Sequence, residues 1–170
     1  MKSARILMYA VCLWCLSFVA CTTQKKLVRD APATATEQRL GKKQMKRLVG
    51  FASGQLNAPY RWGGNTPKGF DCSGFTTYCF RHFGVQLPRT AADQAQSGKR
   101  IRSKKARPGD LIFFKGPDHK QKKTAHVGIV VSGKRKQIRF IHAGSKGITI
   151  SGLSEEYFSK RFTTIRRVRS

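Results

Sequence analysis

One cysteine stands where a glycine-rich loop gives way to an apolar run with helical spacing, in Phe70-Asp71-Cys72-Ser73-Gly74-Phe75. A cysteine in the first turn of a helix faces backbone N–H groups that lack intrahelical partners, and it faces the positive end of the helix dipole. Both favour the ionised thiol. Two later histidines supply the proton chemistry such a thiolate needs. His126 opens the alternating run His126-Val127-Gly128-Ile129-Val130-Val131, and His142 closes Ile138-Arg139-Phe140-Ile141-His142. Nucleophile first, a base at a strand start and then a second polar group is the order of a cysteine hydrolase.

In that chemistry Cys72 attacks an amide carbonyl, while His126 pairs with the thiolate as imidazolium and then protonates the leaving amine. His142 accepts a hydrogen bond from His126 and holds its ring. Strand parity puts Ile138, Phe140 and His142 on one face, so His142 projects toward the core side. The backbone N–H of Cys72 is a candidate oxyanion donor. One cysteine and two histidines could also ligate zinc, but the separations from Cys72 to His126 to His142 lack the paired short spacings of a structural site. No metal or other cofactor is expected. His82 and His119 are expected to be solvated.

These side chains need elements to hold them. Met45, Leu48, Val49, Ala52 and Leu56 recur at three- and four-residue steps, which predicts an amphipathic helix over Lys42 to Leu56, ended by Asn57-Ala58-Pro59. A second helix is predicted from Cys72 to Phe83, with Asp71 as N-cap, Gly84 as stop, and Phe75, Cys79 and Phe83 on its buried face. A weaker helical piece covers Ala91 to Gln96. Beyond Arg107-Pro108-Gly109-Asp110 the period changes to that of strands. Five are predicted: Leu111 to Lys115, His126 to Ser132, Gln137 to His142, Gly147 to Ser151 and Thr163 to Val168. A hairpin turn falls at Ser132 to Lys136 and a short helix at Ser154 to Lys160. Helices first and a meandering, mostly antiparallel sheet afterwards make an α+β domain, with the Cys72 helix packed on the sheet that carries the histidines.

Lys2 and Arg5 followed by the apolar Ile6 to Ala20 have the layout of an export signal, too short for a membrane span of about 20 apolar residues. Ala20-Cys21 resembles a bacterial lipoprotein processing site, with Phe18 where leucine is usual. Residues 1–20 are therefore read as signal peptide, Cys21 as the lipidated N-terminus that starts a tether running to residue 36, with ordinary signal cleavage to a secreted product as the alternative, and residues 37–170 as one domain. Cys12 and Cys15 fall in the signal. Cys72 and Cys79 would lie about 10 Å apart along one helix, beyond disulfide reach. Thr22 after Cys21 lacks the aspartate of an inner-membrane retention signal, so the expected location is the outer membrane, facing the periplasm. Lys and Arg number 34 against 8 Asp and Glu, a net charge of +26 that draws polyanions and acidic membrane surfaces. Nucleic acid is not the expected partner, because the basic residues are scattered and no nucleic-acid-binding motif is present.

Six blocks together resemble the NlpC-type cell-wall cysteine peptidases: Tyr60-Arg61-Trp62-Gly63-Gly64, Phe70 to Phe75, Leu87-Pro88-Arg89-Thr90, Arg107 to Phe114, His126-Val127-Gly128-Ile129 and Ile141-His142-Ala143. They come in the family's order over Met45 to His142. The resemblance implies a papain-like fold and hydrolysis of peptidoglycan stem peptides or cross-links, at the D-glutamyl–diamino acid or D-Ala–diamino acid bond; a monomer is expected. It also implies that Tyr60 contacts substrate or the developing oxyanion, with packing under the loop as the alternative. Asp71 and Ser73 would meet the peptide's free amino end, cap the helix, or both. Arg89 would bind a substrate carboxylate or stay exposed, and Trp62 is expected to pack. A wall-binding lipoprotein without catalysis, and an amidase or acyltransferase on the same fold, are the alternative functions.

Overall fold

A computed structural model describes residues 41–116, 123–134 and 137–168, all of them within the unit Glu37–Ser170. The predicted signal, Cys21, the tether, His119 and the tip of the predicted hairpin turn at 135–136 lie outside the described residues. Helix α1 (Lys42–Ser53) forms because Leu48 and Ala52, four residues apart, bury completely while Lys42, Lys43, Lys46 and Arg47 stay in water. It stops at Ser53, short of the predicted Leu56. The chain then turns through Asn57, held at φ 68 with its N–H on the Ile148 carbonyl at 3.0 Å; asparagine is among the few residues that tolerate this left-handed backbone.

A two-stranded ribbon, β1 (Asn65–Thr66) and β2 (Gly69–Phe70), leads into helix α2 (Cys72–His82). The Asp71 carboxylate caps α2 by accepting from Gly74 N at 2.6 Å. Phe75, Cys79 and Phe80 bury fully, whereas Phe83 is only half-buried. Helix α3 (Ala91–Gln94) is a single turn capped by Thr90.

The sheet has six strands, one more than predicted. Its order is β3 (Lys99–Ile101), β8 (Phe162–Arg167), β4 (Leu111–Lys115), β5 (Thr124–Lys134), β6 (Gln137–Gly144) and β7 (Gly147–Gly152), with every neighbouring pair antiparallel. Strands β4 to β7 meander as predicted, and β8 returns to the free side of β4. The additional strand, β3, is three residues long and mostly cationic. Its only apolar side chain is Ile101, so it has no alternation to read; its place comes from backbone pairing with β8, Arg100 opposite Arg166. A 3-10 turn (Ser103–Lys105) follows β3, and α4 (Glu156–Ser159) precedes β8.

Alternation along the strands divides the core in two. Leu111, Phe113, Val127, Ile129 and Ile141 face α1 and α2, against Leu48, Phe75, Cys79 and Phe80. On the other side Ile112, Phe114, Val130, Ile138, Phe140 and Ile165 pack beneath Phe158 of α4. Each such side chain contributes roughly 1.5–3 kcal/mol when fully buried, so residues within Glu37–Ser170 supply this unit with a core of its own. Asp110, 1% exposed, receives a two-pronged ion pair from Arg167 (2.7 and 2.9 Å) and pins the end of β8 to the turn before β4.

Candidate active site

The loop before Cys72 is fixed by backbone hydrogen bonds. Phe70 N donates to the Pro59 carbonyl, Arg61 N to Phe70, Gly64 N to Arg61 and Asp71 N to Gly64. Gly74, in the first turn of α2, packs directly against the Gly64 carbonyl, where any Cβ would collide with backbone. Glycine is needed there so that the loop can lie against the start of the helix.

Cys72 therefore sits at the N-terminus of α2 and abuts β5. Its Sγ donates to the Ala125 carbonyl at 3.8 Å, one residue before His126. His126 Nε2 and His142 Nδ1 are 3.0 Å apart, and His142 Nε2 continues to Ser151 Oγ at 3.2 Å. If His126 Nδ1 is to accept the thiol proton, its Nε2 must carry hydrogen. His142 Nδ1 then accepts, and His142 Nε2–H donates to Ser151, so one tautomer assignment satisfies the whole chain. The structure thus joins His126, His142 and Ser151 in one hydrogen-bonded file and places Cys72 against the residue before His126. Ser151 lies on β7 two residues beyond Thr149, the register partner of His142, and a diagonal neighbour on the same face can reach the ring.

His142 shares its face with Phe140, as strand parity predicts, but that face is covered by α4 and not by the Cys72 helix. The His142 ring lies 5.1 Å from Phe140 and 5.2 Å from Phe158, and His126 lies 6.2 Å from Phe114. Gly128 leaves room for this arrangement: a Cβ there would come 2.9 Å from the Phe140 ring and 3.1 Å from His142 Cβ.

Burial decides the protonation of the resting site. It pushes His126 down to about 3, helped by the neighbouring His142, and His142 down to about 4. It also pushes the Cys72 thiol up, with the Asp71 charge adding to the rise, and this outweighs the backbone N–H groups of Val127, Ser73 and Cys72 that favour the thiolate. Burial therefore favours the neutral thiol and the neutral imidazoles, against the ion pair expected from the helix start. The Tyr60 hydroxyl is raised too, first by desolvation and then by Cys72 and Asp71, so it remains a proton donor beside the nucleophile.

The residues predicted to touch substrate divide. Asp71 Oδ1 accepts from Gly74 N, Ser73 Oγ (3.2 Å) and Arg89 Nη1 (3.1 Å), and Oδ2 accepts from Arg89 Nη2 at 2.5 Å. Arg89 Nη1 also donates to Ser73 Oγ at 2.9 Å. Asp71 is neutralised by Arg89, which holds its carboxyl below the usual range even though burial acts the other way. Asp71 and Ser73 thus cap and brace α2, while the Arg89 side chain remains 46% exposed. Tyr60 is 38% exposed, and Trp62, expected to pack, is 88% exposed because its loop turns it outward. Gln94, which the sequence did not single out, is fully buried. It donates to the Ser73 and Pro88 carbonyls and to Thr77, and it accepts from Thr76 at 2.8 Å, tying α3 to α2.

Residues 57–167, well over half of the chain, match the NlpC/P60 family. The chain belongs to this family. Among its relatives is the "Probable endopeptidase NlpC homolog" of Haemophilus influenzae, 35% identical over 125 residues, covering 72% of this chain and 62% of that one. Another is the "Murein DD-endopeptidase MepS/Murein LD-carboxypeptidase" of Escherichia coli, 41% identical over 113 residues, covering 65% and 56%. The chain thus spans little more than half the length of these NlpC/P60 relatives. A crystal structure described as similar to a lipoprotein of the NLP/P60 family, from Staphylococcus aureus, superposes with a TM-score of 0.66 at 31% identity, covering 79% of this chain and 45% of that one.

Proposed function

We propose that this NlpC/P60 protein is a cysteine endopeptidase that hydrolyses amide bonds in peptidoglycan stem peptides or cross-links. The observation that carries the reading is the connected chain from His126 to His142 to Ser151, with Cys72 held at the helix start against the residue before His126. Relatives named as endopeptidases, one of them acting on murein, support the substrate class.

The neutral resting pair makes proton transfer part of the attack. As Cys72 Sγ approaches the amide carbonyl, its proton passes to His126 Nδ1, and the new imidazolium is steadied by donating from Nε2 to His142. The oxyanion is received by the backbone N–H of Cys72 and by the Tyr60 hydroxyl. His126 then gives its proton to the departing amine, and in the second half it draws a proton from the water that releases the acyl group. The exposed side of Arg89 faces the substrate, and Asp71 and Ser73 hold it there. Lipid attachment at Cys21 would keep the enzyme in the cell envelope, on the periplasmic side of the outer membrane.

Incubation of Glu37–Ser170 and its Cys72→Ala variant with purified peptidoglycan fragments, followed by mass analysis, tests the proposal. Cleavage by the wild type alone is the expected result, and the product masses identify the bond. A folded wild type that binds fragments but cuts none would assign the chain to wall binding instead.

A further inference from the structure

The edge of the sheet farthest from the histidines is cationic to a degree that folding does not explain. Six of the nine residues from Lys99 to Arg107 are Lys or Arg, and all six are exposed. Like charges stand opposite one another in register at Arg100 and Arg166, an arrangement that costs stability, while Arg167 opposite Lys99 is neutralised by Asp110. Arg166 Nε is buried with no hydrogen-bond partner among the described residues.

The five described carboxylates are each engaged, Asp110 alone of them with a cation of this edge. Asp71 holds Arg89, Asp110 holds Arg167, Glu156 holds Lys160, Asp93 accepts from Thr90 Oγ1, and Glu155 accepts from Gly152 N. Between Arg100–Lys104 and Phe162–Thr164 lies an open cleft of about 530 Å³, with cations along one wall and Phe162 in the other. Strand β3 is three strands from β5, about 14 Å at ordinary strand spacing, so this cleft is not the peptidase site.

We infer that this edge docks on an anionic phospholipid bilayer, with Arg100, Arg102 and Lys104 against headgroup phosphates. Charge complementarity selects a polyanion, and a bilayer is the polyanion within reach. The 20 residues from Cys21 to Leu40 extend at most about 70 Å, so a lipid on Cys21 keeps the domain beside its membrane. The inference takes the source of the bilayer from that lipid attachment, but the contact belongs to the folded domain and does not need Cys21 or peptidase activity. Cations near such a surface gain from its negative potential, and the gain fades within a Debye length. Docking would orient the domain as well as retain it.

The test uses Glu37–Ser170, which lacks Cys21, with vesicles of phosphatidylcholine alone or mixed with phosphatidylglycerol. Sedimentation with the mixed vesicles only, lost at high salt, is expected. The triple variant Arg100→Gln, Arg102→Gln, Lys104→Gln should lose more than tenfold in affinity. Lys42→Gln, Lys43→Gln, Lys46→Gln, which removes the same charge from exposed positions of α1, should lose less than about twofold. Should the first variant fold poorly, Arg102→Gln with Lys104→Gln leaves β3 intact and carries the same expectation. Equal losses from both faces would overturn the proposal, as would no vesicle binding by the wild type. Tighter binding to a soluble phosphate polymer or to RNA at equal phosphate would also overturn it. Peptide cleavage by these variants reads separately on the peptidase proposal.

Discussion

The two halves of the candidate site are held by opposite physics. The nucleophile side is a polar lattice, with Asp71, Ser73 and Arg89 locked together and Gln94 threaded through four hydrogen bonds to neighbouring turns. The histidine side is an aromatic bed of Phe114, Phe140 and Phe158, with a single file of hydrogen bonds ending at Ser151. Charge fixes where the sulfur stands. Desolvation favours the neutral form of both imidazoles.

That contrast is most severely tested by Phe158→Ala. Truncating this aromatic, 7% exposed, should cost about 3 kcal/mol or more in chemical denaturation. It should also let water onto the rings, so that NMR titration finds His126 and His142 climbing toward the ordinary histidine range. Unmoved titrations in a folded variant would mean that the aromatic bed is not what keeps them neutral. Arg89→Met probes the other half and should cost about 2 kcal/mol, because it leaves Asp71 with an uncompensated charge. That charge lies next to Cys72 and raises its thiol further, so alkylation of Cys72 at a fixed pH near 8 should slow while the imidazole titrations stay in place.

The histidine side should also govern acid stability. His126 and His142 titrate at about 3 and 4 when folded, against about 6.5 unfolded, so on acidification the unfolded chain takes up protons first. Stability should fall between about pH 6.5 and pH 3, and Asp71, held below its usual range, adds to the loss at the acid end. Thermal midpoints measured from pH 7.5 down to 4 should show this decline, and His142→Asn should flatten it. The smallest effect is expected from Ser151→Ala, about 1 kcal/mol in stability. It should lower kcat several-fold with KM unchanged, and Ser151→Thr should restore most of it. A change in KM alone would assign Ser151 to substrate contact.

Most of the scaffold could be read from the sequence, because strong periodicity and its physical cause coincide in α1, α2 and β4 to β8. Cys72, His126 and His142 could be picked out for a related reason: each sits at the end of a patterned element, where the pattern itself marks the boundary. Ser151 and Gln94 could not, since their roles come from cross-strand diagonals and from packing between distant turns. Strand β3 has no pattern at all. The helix dipole acts over the first turn and can be read locally, whereas the desolvation that pushes the Cys72 thiol up depends on everything packed around the sulfur. Trp62 was misplaced for a similar reason: the direction in which a loop turns a side chain is set by its backbone hydrogen bonds.

The brevity and charge of β3 have one more consequence. An exposed sheet edge is a template on which a second copy of the chain can add its own strands. Here the outermost strand offers only three residues of ladder, and two such edges would bring Lys99 and Arg100 of each molecule face to face. The edge therefore resists self-pairing, even at the high local concentrations found on a crowded two-dimensional surface.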